Sequence, residues 1–403
     1  MTRDGLGHLW ALDPAITFLN HGSFGACPHA VLAMQDEWRR RLEAHPVRFM
    51  VDELEEALAD AAARTCAFLR CAPDDFAFVP NATVGVNAVL RSLDLKPGDE
   101  LLANNHEYNA CLNALRYVAE RAGARVVMVD IPCPVTGPEA VVEALLAHVT
   151  ERTKLALVSH VTSPTALVFP IERIVRELAA RGVDTLVDGA HGPGMMDLDV
   201  DGIGAAYYTG NFHKWTCAPK GAGFLHVRRD RRDAIRPAVI SHGANSPRED
   251  RSRFRNEFDW TGTSDPTAFL CVPDAIAYVG GLHDQGWAGI RRDCRAQVLR
   301  GREMVCAALR ERGAGVASGP DEMVGLTASF TLPDGEEREP PRDRTWTDPQ
   351  QRRLYREHHI EVPVVAWPGL PRRMMRLSAH LYNGDGDYRV LARAVASLGR
   401  DEG

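Results

Sequence analysis

The stretches DTLVDGAHGPG (residues 184–194) and YYTGNFHKW (residues 207–215) each contain a short run typical of a buried strand. Asp188 closes the first run, and Lys214 follows the second. In an open parallel sheet, ligands bind outside the carboxyl ends of the strands, so both side chains are predicted to lie at one edge. A carboxylate there needs a cationic partner such as a protonated pyridine nitrogen, and a desolvated lysine can form an imine with an aldehyde. The two stretches therefore predict a site for a ligand that carries both groups.

Strand-like runs alternate with helical stretches on both sides of this pair. The runs are apolar without alternation, as in strands buried on both faces, and occupy residues 76–79, 100–103, 125–129, 155–158, 184–187, 205–208 and 223–227. Helical patterns cover residues 28–70, 84–93, 110–122 and 171–180. This order predicts an α/β fold with a mostly parallel seven-stranded sheet and helices on both faces.

The pattern changes after about residue 270. Helical stretches at 273–278 and 289–312 precede two strand-like runs, at 327–332 and 374–378, and residues 333–349 are predicted to form an exposed loop. We therefore predict three parts: an N-terminal segment near the active site (1–30), a large α/β domain (31–270) and a smaller α+β domain (271–403).

The composition argues against several classes of protein. The chain has 403 residues, 45% of them apolar and 25% charged, and a net charge of −7 without long basic runs, which argues against nucleic-acid binding. No apolar stretch suffices to span a membrane and no apolar signal core is evident, so a cytoplasmic location is expected. Nine scattered cysteines, an odd number without a CxxC pair, argue against a disulfide framework or a zinc site.

Two further turns follow strand-like runs. The first, NATVGVN (residues 81–87), opens a helix, where a turn of small residues presents backbone N–H groups to an anion and Thr83 adds a hydroxyl. The second, NNHEYN (residues 104–109), offers an aromatic ring that can stack on a flat ligand. Tyr108 is the first candidate for this contact and His106 the second.

The order of these motifs resembles the class V aminotransferases of pyridoxal 5′-phosphate (PLP) fold-type I, and most closely their isopenicillin N epimerase-like branch. The matching segments are NATVGVN, NHEYNA, SHVTSPT, VDGAHGPG, GNFHKW and WTGTSDPTAFL. The opening FLNHGSFG (residues 18–25) and the closing RLSAHLYN (residues 376–383) are also similar. The resemblance implies PLP as the cofactor and an amino acid as the small-molecule substrate.

The resemblance also implies a role for each matching residue. Lys214 would bind the cofactor covalently and move protons, and Asp188 would pair with the pyridine nitrogen. The remaining contacts to the cofactor would come from Ala82, Thr83, Asn211 and His213 at the phosphate, His191 and Ser163 near the phenolic oxygen, and Thr263 from the partner subunit of a homodimer. The substrate would be held by Arg376, which clamps its carboxylate, and by a loop containing Asn20, His21 and Gly22.

The motifs leave the reaction open. The first hypothesis is epimerisation at Cα, and the second is a C–S lyase of secondary metabolism that eliminates from an S-substituted cysteine or its sulfoxide. Transamination is placed third, and a non-enzymatic binding protein is disfavoured because Lys214 and Asp188 are both present. Cysteine desulfurases similar to this family need a thiolate before the carboxylate-binding arginine, but no cysteine follows Cys306.

Overall fold

The computed structural model describes residues 6–336 and 347–397, and a seven-stranded sheet forms its centre. The strands are β1 (Thr17–Phe18), β2 (Phe76–Val79), β3 (Glu100–Asn104), β4 (Arg125–Val129), β5 (Thr153–Ser159), β6 (Asp184–Gly189), β7 (Tyr207–Asn211), β8 (Gly223–Val227), β9 (Thr327–Thr331), β10 (Ile360–Glu361), β11 (Val364–Ala366) and β12 (Arg373–Ser378). The large sheet has the order β2-β8-β7-β6-β5-β3-β4. All seven predicted runs form its strands, although the sixth begins at Tyr207, two residues later than expected.

Most neighbours in this sheet are parallel, as predicted, and β8 is the exception. It pairs antiparallel with both β7 and β2. The connection from β7 to β8 holds only residues 212–222 and contains no helix, whereas a parallel neighbour requires a longer crossover.

The α-helices connect and cover these strands. They are α1 (His21–Phe24), α2 (His29–Ala44), α3 (Pro46–Arg48), α4 (Leu54–Leu69), α5 (Ala82–Ser92), α6 (Asn109–Ala122), α7 (Pro138–Leu146), α8 (Ile171–Ala179), α9 (Val200–Ile203), α10 (Arg253–Phe258), α11 (Thr267–Leu270), α12 (Val272–Gly281), α13 (Gly286–Leu309), α14 (Pro349–His358) and α15 (Asp385–Ser397). A π-helical stretch, Phe49–Glu53, separates α3 from α4. The pattern over 28–70 is therefore interrupted, and α2 ends just before Pro46, which has no N–H to donate.

Both faces of the large sheet are buried except along the edge strand β4, where Arg125 and Met128 are exposed. Leu102, Val187 and Tyr208 pack into one apolar core, and their chain neighbours, such as Leu186 and Tyr207, pack into the core on the opposite face. Successive strand residues point to opposite faces, so a strand covered on both sides must be apolar throughout. This explains why most of these strands appear in the sequence as uninterrupted runs of apolar residues.

The smaller part is a three-stranded antiparallel sheet in the order β11-β12-β9. Its core also takes in residues from the N-terminal segment, including Trp10 and Leu19, and β1 pairs with β10. The predicted strands at 327–332 and 374–378 are present, whereas the three-residue β11 was not predicted. Of the predicted loop 333–349, residues 337–346 lie outside the described residues, and α14 begins at Pro349.

Among the described helices, none is both long and apolar enough to cross a membrane.

Candidate active site

A cavity of about 660 Å³ opens at the carboxyl ends of the parallel strands. Segments that follow β2, β3, β5, β6 and β7 form most of its wall, and α1 and β12 close it from the smaller part. Most of the predicted site residues line it, namely Gly22, Ala82, Thr83, Tyr108, Ser163, Asp188, His191, Asn211, His213, Lys214 and Arg376. Three predicted residues, Asn20, His21 and Thr263, are outside this lining.

Lys214 follows β7 and presents its amine to the cavity. Its Nζ lies 3.1 Å from Nε2 of His191. Burial is the main cause that lowers the pKa of this amine to about 7; the nearby Arg376 guanidinium acts in the same direction, and the Asp188 carboxylate opposes the shift. The amine is therefore available in its neutral, nucleophilic form close to neutral pH.

Asp188 lies at the end of β6, where the sequence places it. Its carboxylate accepts the Ala190 backbone N–H at 3.0 Å and the Cys111 thiol at 3.1 Å. Asp188 is only 4% exposed and forms no ion pair with any described residue. A buried carboxylate without a counter-ion is costly, so this position favours a ligand that brings a positive charge. No sequence pattern pointed to Cys111.

The N-terminus of α5 forms one end of the cavity. Asn81 caps the helix by accepting the Val84 N–H at 3.0 Å, and the Ala82 N–H donates to Oδ1 of Asn211 at 2.8 Å. Thr83 lies in the first turn, where N–H groups have no partner within the helix. This end can therefore accept an anion such as a phosphate.

His213 lies near the same end of the cavity, and its ring is oriented by the backbone. Its Nδ1 lies 2.8 Å from the carbonyl oxygen of Ala222, so Nδ1 is the donor. Burial lowers the pKa of His213 to about 4, and the neutral ring therefore presents an acceptor nitrogen. A contact between Nε2 and a phosphate would therefore need a protonated phosphate oxygen as the donor, and the predicted contact of His213 with the phosphate stays a prediction.

The two aromatic candidates that follow β3 have different surroundings. Tyr108 lines the cavity and is 48% exposed. His106 is fully buried, with Nδ1 at 2.7 Å from the Thr165 hydroxyl and Nε2 at 2.9 Å from the Ile131 carbonyl oxygen. Because His106 is fully buried and does not line the cavity, its ring is not exposed to a ligand there.

Arg376 on β12 extends across the cavity to two serines. Its Nη1 donates to the backbone oxygen of Ser163 at 2.7 Å, and Nη2 donates to the hydroxyl of Ser23 at 2.9 Å. The buried Nε has no hydrogen-bond partner among the described residues. Burial lowers the pKa of this guanidinium to about 10, which leaves it charged at neutral pH. A buried cation with a free N–H is suited to a carboxylate.

The N-terminal segment contacts the backbone of Lys214. The His21 ring is fully buried, with Nδ1 at 2.7 Å from the Tyr382 hydroxyl and Nε2 at 3.0 Å from the Lys214 carbonyl oxygen. The Asn20 side chain donates to Glu361 at 3.0 Å. Neither side chain lines the cavity, and their predicted role in substrate binding stays a prediction.

Close packing explains why glycine ends α1. Gly25 has φ = 71°, and a Cβ at this position would overlap the backbone oxygen of His213. The residues of this segment that line the cavity are Gly22, Ser23 and Phe24. The N-terminal motif therefore both supports the Lys214 backbone and forms part of the cavity wall.

A buried cluster next to the backbone of Lys214 contains three side chains of types that bind metals, His21, Cys217 and His380. The Nε2 atom of His380 lies 3.4 Å from the Trp215 carbonyl oxygen, and the corresponding atom of His21 faces the Lys214 carbonyl oxygen. In this arrangement both rings act as donors to the backbone around Lys214. The cluster therefore supports the segment that carries the amine.

Comparison with known proteins identifies relatives of the whole chain. The family model for aminotransferase class-V matches residues 18–284. An isopenicillin N epimerase from Amycolatopsis lactamdurans is 35% identical, with 97% of each chain covered. A probable chloroplastic L-cysteine desulfhydrase from Arabidopsis thaliana is 29% identical, covering 96% of this chain and 84% of the relative.

Solved structures show the same fold. The enzyme C-DES, with glycine covalently linked to its PLP cofactor, superposes with a TM-score of 0.77 at 20% identity, covering 95% of this chain and 96% of that one. The α/β architecture is thus that of PLP fold-type I, as the sequence motifs implied.

The residues of the cavity fit PLP. The carboxylate of Asp188 lacks a cationic partner among the described residues, and a pyridine N–H would supply one. The Lys214 amine has the lowered pKa that imine chemistry needs, and the first turn of α5 is open to the phosphate. Thr263 is exposed and lies outside the cavity, so its predicted contact with a partner's phosphate stays a prediction.

Proposed function

Because this chain belongs to the class-V aminotransferase family and uses PLP, we propose that it removes the Cα proton of an amino-acid substrate and returns a proton to the opposite face. This is an isopenicillin N epimerase-like activity on an L-α-amino acid or a peptide-like compound ending in one. The observation that carries the proposal is a single cavity lined by the Lys214 amine, the Asp188 carboxylate and the Arg376 guanidinium. The identity to the Amycolatopsis epimerase supports the choice of reaction.

Lys214 is the proposed base. Its pKa of about 7 keeps a large fraction of the amine neutral at physiological pH, and a neutral amine can accept the Cα proton. When bound, PLP supplies an electron sink for the negative charge that develops at Cα. Asp188 would sustain that sink by keeping the pyridine nitrogen protonated.

Arg376 is the proposed anchor of the substrate carboxylate. Its Nε–H has no hydrogen-bond partner among the described residues. Nε and Nη2, which donates to the Ser23 hydroxyl, form the edge of the guanidinium that can give two parallel hydrogen bonds. Two parallel hydrogen bonds to the carboxylate fix both its position and its plane. This orientation directs the Cα–H bond towards Lys214.

Elimination from cysteine is the second candidate function. The Arabidopsis desulfhydrase supports it, and the chemistry needs only one base. Epimerisation also needs an acid on the second face, for which Tyr108 is the candidate in the cavity now that His106 is engaged elsewhere. A desulfurase relay is disfavoured because no cysteine lines this cavity among the described residues.

Incubation with a panel of amino acids in D₂O distinguishes these reactions. The proposal predicts deuterium at Cα together with inverted configuration, measured by mass spectrometry and chiral chromatography. Release of pyruvate and a thiol or hydrogen sulfide from cysteine derivatives would instead identify a lyase, and conversion of an added keto acid to an amino acid would identify a transaminase.

A variant of the stacking residue sharpens this experiment. Tyr108→Phe keeps the aromatic ring but removes the phenolic proton, so we expect inversion to be lost while deuterium uptake with retention persists. A wild-type enzyme that retains configuration with every substrate would contradict the epimerase proposal.

We also propose a homodimer whose active sites lie at the interface. Thr263 is exposed beside an apolar pocket of about 260 Å³ formed by residues that include Pro80 and Val84, which also line the main cavity. A partner subunit seated there would lie next to the phosphate end. Sedimentation velocity should give a dimer, and activity should fall on dilution in step with dissociation. A monomer with full activity would contradict this proposal.

We also propose a cytoplasmic location for the protein. The nine cysteines are all free, and seven of them are buried. Such a set fits a reducing compartment, where disulfides do not form.

A further inference from the structure

Trp215 directly follows Lys214 and is completely buried. Its indole Nε1 lies 3.2 Å from Nδ1 of His191. An indole N–H can only donate, so Nδ1 of His191 must accept this hydrogen bond. A neutral imidazole carries a single proton, which in this ring therefore resides on Nε2.

The position of that proton determines the charge on Lys214. The His191 Nε2–H lies 3.1 Å from the Lys214 Nζ, and only a neutral amine has a lone pair to accept it. A protonated amine would need Nε2 as an acceptor, and the ring would then have no proton on either nitrogen. The two hydrogen bonds are therefore compatible only with neutral Lys214.

We infer that Trp215 is a positioning residue that fixes His191 as an Nε2–H donor and thereby holds the Lys214 amine neutral. The inference rests on the proposed function of Lys214 as the base. It concerns proton positions, however, which exist whether the enzyme epimerises or eliminates. It also implies that His191 cannot accept a proton from the substrate through Nε2.

The other groups around the pair are compatible with this assignment. Burial and the neighbouring Lys214 hold the pKa of His191 well below its usual range. The ring is therefore neutral and carries one proton, on either Nδ1 or Nε2. The groups that face Lys214 or His191 from neighbouring elements are Asp188 on β6, Cys111 on α6, Arg376 on β12 and His21 on α1. Of these, Asp188 favours a charged amine. Burial raises the pKa of the Cys111 thiol, which stays protonated and donates to Asp188.

The tautomer can be read directly by NMR of the full-length protein labelled with ¹⁵N-histidine. Long-range proton–nitrogen correlations distinguish Nε2–H from Nδ1–H, and His191→Gln assigns the signal. We expect Nε2–H in the wild type and a substantial Nδ1–H population in Trp215→Phe. An Nδ1–H ring in the wild type would overturn the inference even if the Trp215 variant did not fold.

The second measurement is the rate of PLP uptake by the cofactor-free protein as a function of pH, which rises as the Lys214 amine loses its proton. An Nε2–H donor favours the neutral form of the amine that accepts from it, so losing that donor should raise the midpoint of this rise. For Trp215→Phe we expect a rise of about 0.5 to 1 pH unit, the usual effect of one hydrogen bond between neutral groups. An unchanged midpoint in a folded variant would also overturn the inference.

Trp287→Phe is the matched control. Its indole N–H donates to the backbone oxygen of Ile276 at 3.1 Å, outside the active-site cavity. The control therefore loses an equivalent indole hydrogen bond, and it should leave both the His191 tautomer and the midpoint of PLP uptake unchanged. A shift of equal size in the two variants would assign the effect to general packing and reject the role of Trp215.

Discussion

Lys214→Ala is expected to lower turnover by about 1,000-fold or more while the protein still binds PLP, because the variant loses its base but keeps its other cofactor contacts. Asp188 and the N-terminus of α5 remain in place to hold the ring and the phosphate. Added methylamine should restore part of the activity, since a small amine can occupy the space that the side chain vacates. Lys154→Ala, which removes an exposed lysine paired with Asp99, is the control and should be fully active.

Borohydride reduction tests the same residue in the wild-type enzyme. The reduced cofactor should be recovered on the peptide that contains Lys214. Lys220 also lines the cavity, so peptide mapping distinguishes two candidate amines. Recovery of the label on Lys220 would contradict the assignment.

The charge on Lys214 also predicts a pH dependence. The neutral amine is the form that reacts with the cofactor aldehyde, and the pKa of Lys214 is lowered to about 7. The rate of PLP uptake by the cofactor-free protein should therefore rise with pH through about 7 and then level off. Stopped-flow absorbance measures this rate, and a rise centred near the ordinary lysine pKa would show that the amine is solvated.

The sequence predicted the large sheet well for a physical reason. Strands covered on both faces must be apolar at every position, so their runs are visible without knowledge of their partners. The same logic placed Asp188 and Lys214, because polar residues directly after buried strands collect at one edge of the sheet. The three-residue β11 carries no comparable signal, since its burial depends on contacts with the longer β12.

The contacts that tune the site were not predictable in this way. Trp215 and His191 are separated by 24 residues, and their hydrogen bond depends on how the segments after β6 and β7 meet. The contact between Cys111 and Asp188 spans 77 residues and needs the register between α6 and β6. The motif around His21 was interpreted as a loop, whereas its residues form the short helix α1, and the His21 ring contacts the backbone oxygen of Lys214. The predicted contact of His21 with the substrate stays a prediction.

Replacement of Arg376 is expected to have the second large effect, a fall in kcat/KM of about 100-fold or more for Arg376→Ala. The guanidinium is buried and its orientation is set by Ser163 and Ser23, so a carboxylate meets a fixed cation. Arg376→Lys should also be poorly tolerated, because an ammonium group is a point charge and cannot hold a planar carboxylate at two points.

A matched control separates the clamp from the stability of the strand. Arg373 lies three residues earlier on β12, and its guanidinium pairs with Asp348 at 3.1 Å instead of lining the cavity. Arg373→Lys should therefore leave kcat/KM nearly unchanged. Thermal unfolding of all the variants identifies any loss of activity that comes from a weakened fold.

Substrate analogues give the decisive comparison. The amide of an amino-acid substrate has the same shape as the acid but lacks its negative charge, so the wild-type enzyme should prefer the acid strongly. In Arg376→Ala this preference should largely disappear, because the group that distinguishes the two is absent. Measuring kcat/KM for acid and amide with both enzymes isolates the interaction between the arginine and the carboxylate. If Arg376→Ala stayed within a few-fold of the wild type and kept its preference for the acid, another group would bind the carboxylate. The substrate orientation that directs Cα–H towards Lys214 would then be wrong.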